Sequence, residues 1–247
     1  MGEPEVVVLA AMARELRPLA RALRMRASPL GGLPAWRSCG VVAVAVGVGP
    51  QLAGAGTARV LDEVDARRVL VTGVAGALDP ALEVGDLVRP HAVVDVRTAR
   101  VLVAHRRDIP RSDHQGSDGT RAGILATVDR IFVVAGETST GTVAPQLPRG
   151  ATAVDMETAA IAAVAEARGI AWDVIRAVSD VAGTLTPDVA ALLSPEGRVR
   201  LLAAVLLVLG RPHAAGRLVR LGIDTNRALR AATGAIVREL AADGIHA

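Results

Sequence analysis

The sequence predicts a single-domain α/β fold: three layers, α/β/α, around a central, mostly parallel mixed sheet, with a helical C-terminal extension. Two observations carry this. Short β-branched runs give way to glycine-rich turns and then to helical apolar spacing, and the order repeats, which marks a parallel sheet covered by helices. The chain of 247 residues, 51% of them hydrophobic, is also long and apolar enough for a large core, and no internal repeat or linker divides it. Residues 1–247 are therefore read as one domain, with 186–247 a helical tail packed on it.

The elements follow in order. Residues 6–11 (VVVLAA) read as a buried strand, and 12–23 (MARELRPLARAL) as a helix with Leu16, Leu19, Ala20 and Leu23 on one face. Residues 41–49 (VVAVAVGVG) hold a second strand, which runs into a small-residue loop over 47–54 and a helix over 51–63. A third strand, 68–73, ends in Gly73-Val74-Ala75-Gly76. Residues 84–88 and 92–96 add strands around a Gly-Asp turn, whereas 107–121 (RDIPRSDHQGSDGTR) are polar and turn-rich and are expected to form a mobile loop. The runs 131–134, the one before Asp155, and 172–178 complete the sheet; from 187 the pattern is helical to 238, broken at Gly210, Arg211 and Pro212.

Composition excludes several classes of function. All 28 basic residues are Arg, none in a run of five, and the aromatics are two Trp, one Phe and no Tyr. A nucleic-acid face is expected to show clustered cations with stacking rings, so nucleic acid is excluded as a partner. The single Cys39 rules out an intramolecular disulfide and a multi-cysteine zinc site, and the five His lack metal-ligand spacing, so no metal and no cofactor are expected. The N-terminus lacks a secretory signature. The longest apolar run, residues 201–210, is well short of the ~20 residues that span a bilayer. A cytoplasmic protein without stable membrane insertion is expected.

Acids stand where strands hand over to helices. Residues 151–165 (ATAVDMETAAIAAVA) set Asp155 and Glu157 around Met156 at such a point, Asp180 ends the apolar run 174–180, and Glu15 follows the first strand. One acid at a helix start caps free N–H groups; a second needs another reason. Taken singly, Asp180 reads as a turn or cap residue, Glu157 as a first-turn acid, and Glu15 as a solvated acid paired with an Arg one turn away. Met156 reads equally as core filling. Ligands of parallel sheets bind at the carboxyl ends of strands, however, and that rule lets these distant segments converge on one rim.

The segments Ala11-Met12-x-x-Glu15, Thr72-Gly-Val-Ala-Gly76 with Val84-Gly-Asp86, Val154-Asp-Met-Glu157 and Arg176-Ala-Val-Ser-Asp180 occur in the order of the nucleoside phosphorylase/nucleosidase superfamily. The chain resembles the methylthioadenosine/S-adenosylhomocysteine nucleosidases over residues 6–183. Its tail, with 191–198 and 220–225, is most similar to the hopanoid-associated phosphorylases.

The resemblance implies a phosphorylase-like fold and cleavage of a purine N-glycosidic bond. Asp180 would protonate N7 of the departing base, Glu157 would hold ribose hydroxyls and offset positive charge on the sugar, and Met156 would pack beneath it. The nucleosidases use the acid matching Glu15 to activate water, whereas a phosphorylase needs cations there. Arg176 would hold Glu15 charged or contact phosphate, and Arg14 and Arg17 stand beside either role; water is favoured. Gly73, Val74, Ala75, Gly76 and Ser179 would line the substrate site, as would Glu137 and Thr138, in a segment that often stacks an aromatic on the base. Here that segment has none, and Val74 stands where the nucleosidases commonly carry Ser. The resemblance also implies a homo-oligomer, a dimer, acting on a small nucleoside, lipid-linked in the hopanoid-associated branch, with phosphate as co-substrate if the enzyme is a phosphorylase. A non-catalytic nucleoside-binding protein is the alternative of a different class.

Overall fold

A computed structural model describes residues 5–105, 120–129, 146–181 and 212–245, with side chains in the last segment from residue 222. Twelve strands form one sheet. They are β1 (Glu5–Ala10), β2 (Arg26–Ala27), β3 (Ala35–Ser38), β4 (Val41–Ala45), β5 (Ala66–Ala77), β6 (Leu87–Val88), β7 (Ala92–Asp95), β8 (Arg100–Val103), β9 (Thr120–Arg121), β10 (Ile124–Thr127), β11 (Ala151–Asp155) and β12 (Trp172–Asp180). Among the described residues the helices are α1 (Ala13–Ala22), α2 (Pro50–Glu63), α3 (Thr158–Ala167) and α4 (Pro212–Ala242).

Strand β1 lies between β4 and β5, parallel to both, and β12 runs parallel to β5. A second parallel set, β7, β10 and β11, joins the first where β11 pairs antiparallel with the end of β5. The sheet is thus mixed and mostly parallel, as the sequence predicts, with β3 and β8 as antiparallel neighbours near its margins.

Side chains alternate across a strand, and β1 shows what that does here. Val7 and Leu9 enter one core cluster with Ala53, Val60 and Leu61 of α2 and Ala159, Ile161, Ala162 and Ala165 of α3. Val6, Val8 and Ala10 enter another with Leu16 and Leu19 of α1 and Ala228, Ala232, Ala235, Ile236 and Leu240 of α4. A strand buried on both faces reads as a continuous apolar run, which is why 6–11 shows no polar alternation. Small residues bring α2 close to the sheet: a Cβ on Gly56 would stand 2.3 Å from the Val46 carbonyl oxygen.

At the rim opposite the strand ends discussed below, α4 is pinned by ion pairs. Arg68 contacts Glu239 at 2.6 Å, Asp243 at 3.0 Å and Asp173 at 3.4 Å, while Arg89 contacts Asp173 at 2.6 Å and Glu239 at 2.7 Å. Asp173 is fully buried, and two guanidinium groups share its carboxylate.

Several expectations change. The third strand does not stop at Gly73 but continues as β5 to Ala77. The run 84–88 forms a strand only at Leu87–Val88, because the Asp86 carboxylate and backbone close a turn on Glu83. Thr120 and Arg121, expected in the loop, pair as β9 with β6; residues 107–119 lie outside the described residues, as do 131–134 and 187–211. Helix α4 passes 238 to reach Ala242. Among the described residues no helix is long and apolar enough to cross a membrane.

Candidate active site

Glu15 is not the solvated helix acid that its sequence neighbours suggest. At the third position of α1 it is 5% exposed and folds back. Its Oε2 accepts the Met12 N–H at 2.8 Å and its Oε1 the Val74 N–H at 3.2 Å. The first bond satisfies a free amide at the helix start, as an acid at this position does; the second ties α1 to β5. Gly73, at φ +123°, makes the approach possible. A Cβ there would stand 2.6 Å from Glu15 Oε1 and 2.7 Å from Arg176 Nη1. Burial pushes the Glu15 pKa above its ordinary value, against the opposing pull of Arg176 and of the two amides.

Arg176 is fully buried on β12. Its Nη1 donates to the Thr72 carbonyl at 2.8 Å, and its Nη2 to Asp155 Oδ2 at 2.5 Å and to Thr158 Oγ1 at 2.9 Å. Glu157 Oε2 lies at 3.9 Å, and no ion pair joins Arg176 to Glu15 among the described residues. Arg176 pulls Glu15 toward its charged form across space, but the carboxylate that it hydrogen-bonds is that of Asp155. Burial opposes the guanidinium charge, but Asp155, Glu157 and Glu15 together hold the Arg176 pKa above its ordinary value.

Glu157 is the N-cap residue of α3 and 6% exposed. Its Oε1 accepts the Gly49 N–H at 2.9 Å, which ties α3 to the start of α2. Burial, reinforced by the Asp155 charge and countered by Arg176, pushes its pKa up to about 7. The free amides of a helix start ordinarily favour a charged acid; here burial and a neighbouring anion prevail.

Asp180 closes β12 rather than capping a helix. Its Oδ1 accepts the Ser179 hydroxyl at 2.6 Å, and Ser179 Oγ lies 3.5 Å from the Ala75 carbonyl oxygen. Asp180 stands opposite Gly76 in register, and a Cβ on Gly76 would come within 3.1 Å of its Oδ2. Burial raises its pKa; the Ser179 hydroxyl pulls the other way.

Two groups thus meet along β5. Glu15, Arg176 and Glu157 gather around Gly73 and Val74; Asp180 and Ser179 gather at Ala75 and Gly76, three register positions further on. Three positions of extended strand span about 10 Å. Met156, half-buried, links Asp155 to Glu157. Glu137 and Thr138 lie outside the described residues. No group of three or more His, Cys, Asp or Glu among the described residues is placed to hold a metal ion.

Sequence reasoning passed over the chemistry of Asp155, which it read as a helix cap. The side chain does accept the Thr158 N–H at 3.1 Å, but it also binds the hydroxyls of Thr158 and Thr127 and the guanidinium of Arg176. The signal was the pair of acids two residues apart; nothing in the chain showed which faced the Arg. Asp155 reaches Arg176 across the junction at which β11 runs antiparallel to β5 at Val154 and Gly76.

A sequence profile of the phosphorylase superfamily matches residues 5–206. Among solved structures, the chain is similar to Helicobacter pylori 5'-methylthioadenosine/S-adenosylhomocysteine nucleosidase, with TM-score 0.63, 18% identity, and 99% of this chain and 100% of that one covered. It is similar to a futalosine hydrolase mutant of Helicobacter pylori strain 26695, with TM-score 0.56, 20% identity and coverage of 72% and 88%. It is also similar to the methylthioadenosine/S-adenosylhomocysteine nucleosidase of Colwellia psychrerythraea in complex with adenine, with TM-score 0.57, 21% identity and coverage of 92% and 96%. At such identities these structures speak for the fold, and the profile match over most of the length establishes that the chain belongs to the phosphorylase superfamily.

Proposed function

We propose that this protein hydrolyses the N-glycosidic bond of an adenine nucleoside. The observation that carries the reading is the spacing just described: buried Glu15 beside Gly73, with Glu157 at 3.9 Å from Arg176, and half-buried Asp180 opposite Gly76, two strand positions about 10 Å apart, a span suited to a ribose and its base. Asp180, held toward its protonated form by burial, would donate to N7 as the C1′–N9 bond breaks and its electrons pass to the base. Glu15, its pKa raised toward the working range of a general base, would take a proton from the water that attacks C1′. Glu157, with a pKa of about 7, would accept ribose hydroxyls and gain stability in its charged form as the sugar becomes cationic. Met156 would exclude water beneath the sugar.

Water is preferred over phosphate as nucleophile because the cluster sets three carboxylates, those of Glu15, Asp155 and Glu157, against one guanidinium already bonded to Asp155, Thr72 and Thr158. One observation favours the phosphorolytic alternative: the buried Arg176 Nε has no acceptor among the described residues, and phosphate would supply one. The substrate class extends to methylthioadenosine, S-adenosylhomocysteine and adenosylhopane-like nucleosides. The protein would act as a cytoplasmic homodimer without a cofactor; Val101 and Val103, 59% and 56% exposed on β8, support self-association through that edge.

The test is chromatography of free base after incubation with adenosine, methylthioadenosine, S-adenosylhomocysteine or an adenosylated lipid, with and without phosphate. Adenine release in phosphate-free buffer is expected. Release only with phosphate would overturn the role of Glu15, and no release from any nucleoside would leave a binding protein.

A further inference from the structure

We infer that Asp155 is a positioning residue, which claims the guanidinium of Arg176 and so leaves Glu157 at the edge of its reach and Glu15 outside it. The inference rests on the function proposed above and extends it to a residue that touches neither sugar nor base. Arg176 Nη2 stands 2.5 Å from Asp155 Oδ2 but 3.9 Å from Glu157 Oε2, and three acids compete for this one cation.

Asp155 wins because its carboxylate is fixed from several sides. The Thr127 hydroxyl donates to Oδ1 at 2.7 Å, the Thr158 N–H donates to Oδ2 at 3.1 Å, and the Thr158 hydroxyl donates to the same oxygen. Thr127 is itself held, since its hydroxyl oxygen accepts the Ala159 N–H at 3.1 Å. Strands β10 and β11 and the start of α3 therefore fix the Asp155 position without help from Arg176. Glu157, by contrast, receives from the described residues one bond within 3 Å, that of the Gly49 N–H. A charge-assisted pair with such support outcompetes a looser one.

The consequence concerns what a substrate meets. The groups facing Glu157 are Asp155 from β11, Arg176 from β12, Glu15 from α1 and the Gly49 amide at the start of α2. With Arg176 engaged by Asp155, Glu157 keeps carboxyl oxygen available for ribose hydroxyls. Without the Asp155 charge, the guanidinium turns to the nearest remaining acid, Glu157, and holds it ionised and occupied.

The experiment is a carbon-detected NMR titration of the Glu157 carboxyl in protein labelled with ¹³C-glutamate. It compares wild type, Asp155→Asn and Asp155→Glu. The Asn variant should lower the Glu157 midpoint by at least one pH unit and move the acid limb of any kcat/KM profile with it, while the Glu variant, which retains the anion, should stay near wild type. An unmoved midpoint in Asp155→Asn overturns the inference. Should that variant not fold, wild type alone decides: coupling across the hydrogen bond from Arg176 Nη2 must reach the Asp155 carboxyl carbon, and coupling to Glu157 instead overturns it. Neither NMR readout needs a substrate, so a failure to release base in wild type would count against the proposed function alone.

Discussion

Replacing Glu157 by Gln removes a charge that the fold holds at a cost. The residue is 6% exposed, and burial, with Asp155 second, pushes its pKa from an ordinary 4.5 to about 7. A carboxyl whose folded pKa lies above its unfolded one carries no penalty well below the unfolded value and the full penalty above the folded one. At about 1.4 kcal/mol per pH unit, ionisation of Glu157 lowers stability by about 3 kcal/mol at pH 9 but by less than about 1 kcal/mol at pH 5. Gln cannot ionise and retains an oxygen for the Gly49 N–H. The stability of Glu157→Gln relative to wild type should therefore grow by about 2–3 kcal/mol between pH 5 and pH 9, some 5–10 °C in Tm for a chain of this length. Urea denaturation at a series of pH values measures the gap, and base release measured on the same samples should be lost. A gap that stays constant or narrows with pH would refute the picture of a buried, reluctantly ionised acid; wild-type turnover in the variant would refute its role at the sugar.

Asp180→Asn keeps the shape but cannot donate the proton to N7, so turnover should fall ~10²–10⁴-fold in the base-release assay, with folding unchanged by circular dichroism. Gly73→Ala places a Cβ 2.6 Å from Glu15 and 2.7 Å from Arg176, at φ +123°. It should cost about 1–3 kcal/mol of stability by urea denaturation and abolish base release, because Glu15 and Arg176 cannot both hold their positions.

The sequence made the parallel frame legible because β1 and β4 are buried on both faces and read as apolar runs, while β5 and β12 carry apolar stretches around the few polar residues they bury. It hid β2, β3, β8 and β10, whose two to four residues are too short to show a period. The acids Glu15, Glu157 and Asp180 were legible as a set through the motifs around them. Their individual environments were not, because each depends on a partner far along the chain: Val74 for Glu15, Gly49 for Glu157, and Gly76 beside Asp180. The pairing of Arg176 with Asp155 was least legible, since it follows from the antiparallel junction between β11 and β5, and one extra residue in either strand would turn Asp155 to the other face.

That junction also bears on why so apolar a chain gathers Glu15, Asp155, Glu157 and Arg176 in one buried cluster. Burying Arg176 with no anion would cost several kcal/mol, and burying three acids with one cation leaves surplus negative charge. A structural core would lose that surplus to better-packed apolar residues, because replacing a buried ionic cluster by hydrophobic side chains is often neutral or stabilising. The arrangement makes physical sense if something cationic completes it for part of the time, and the sugar of a nucleoside losing its base is such a charge. Glycines at 73 and 76 fit the same logic: each omits a Cβ where a carboxylate approaches the strand, so under the proposed function β5 would also set the distance between the acid meant for the base and the acids meant for the ribose.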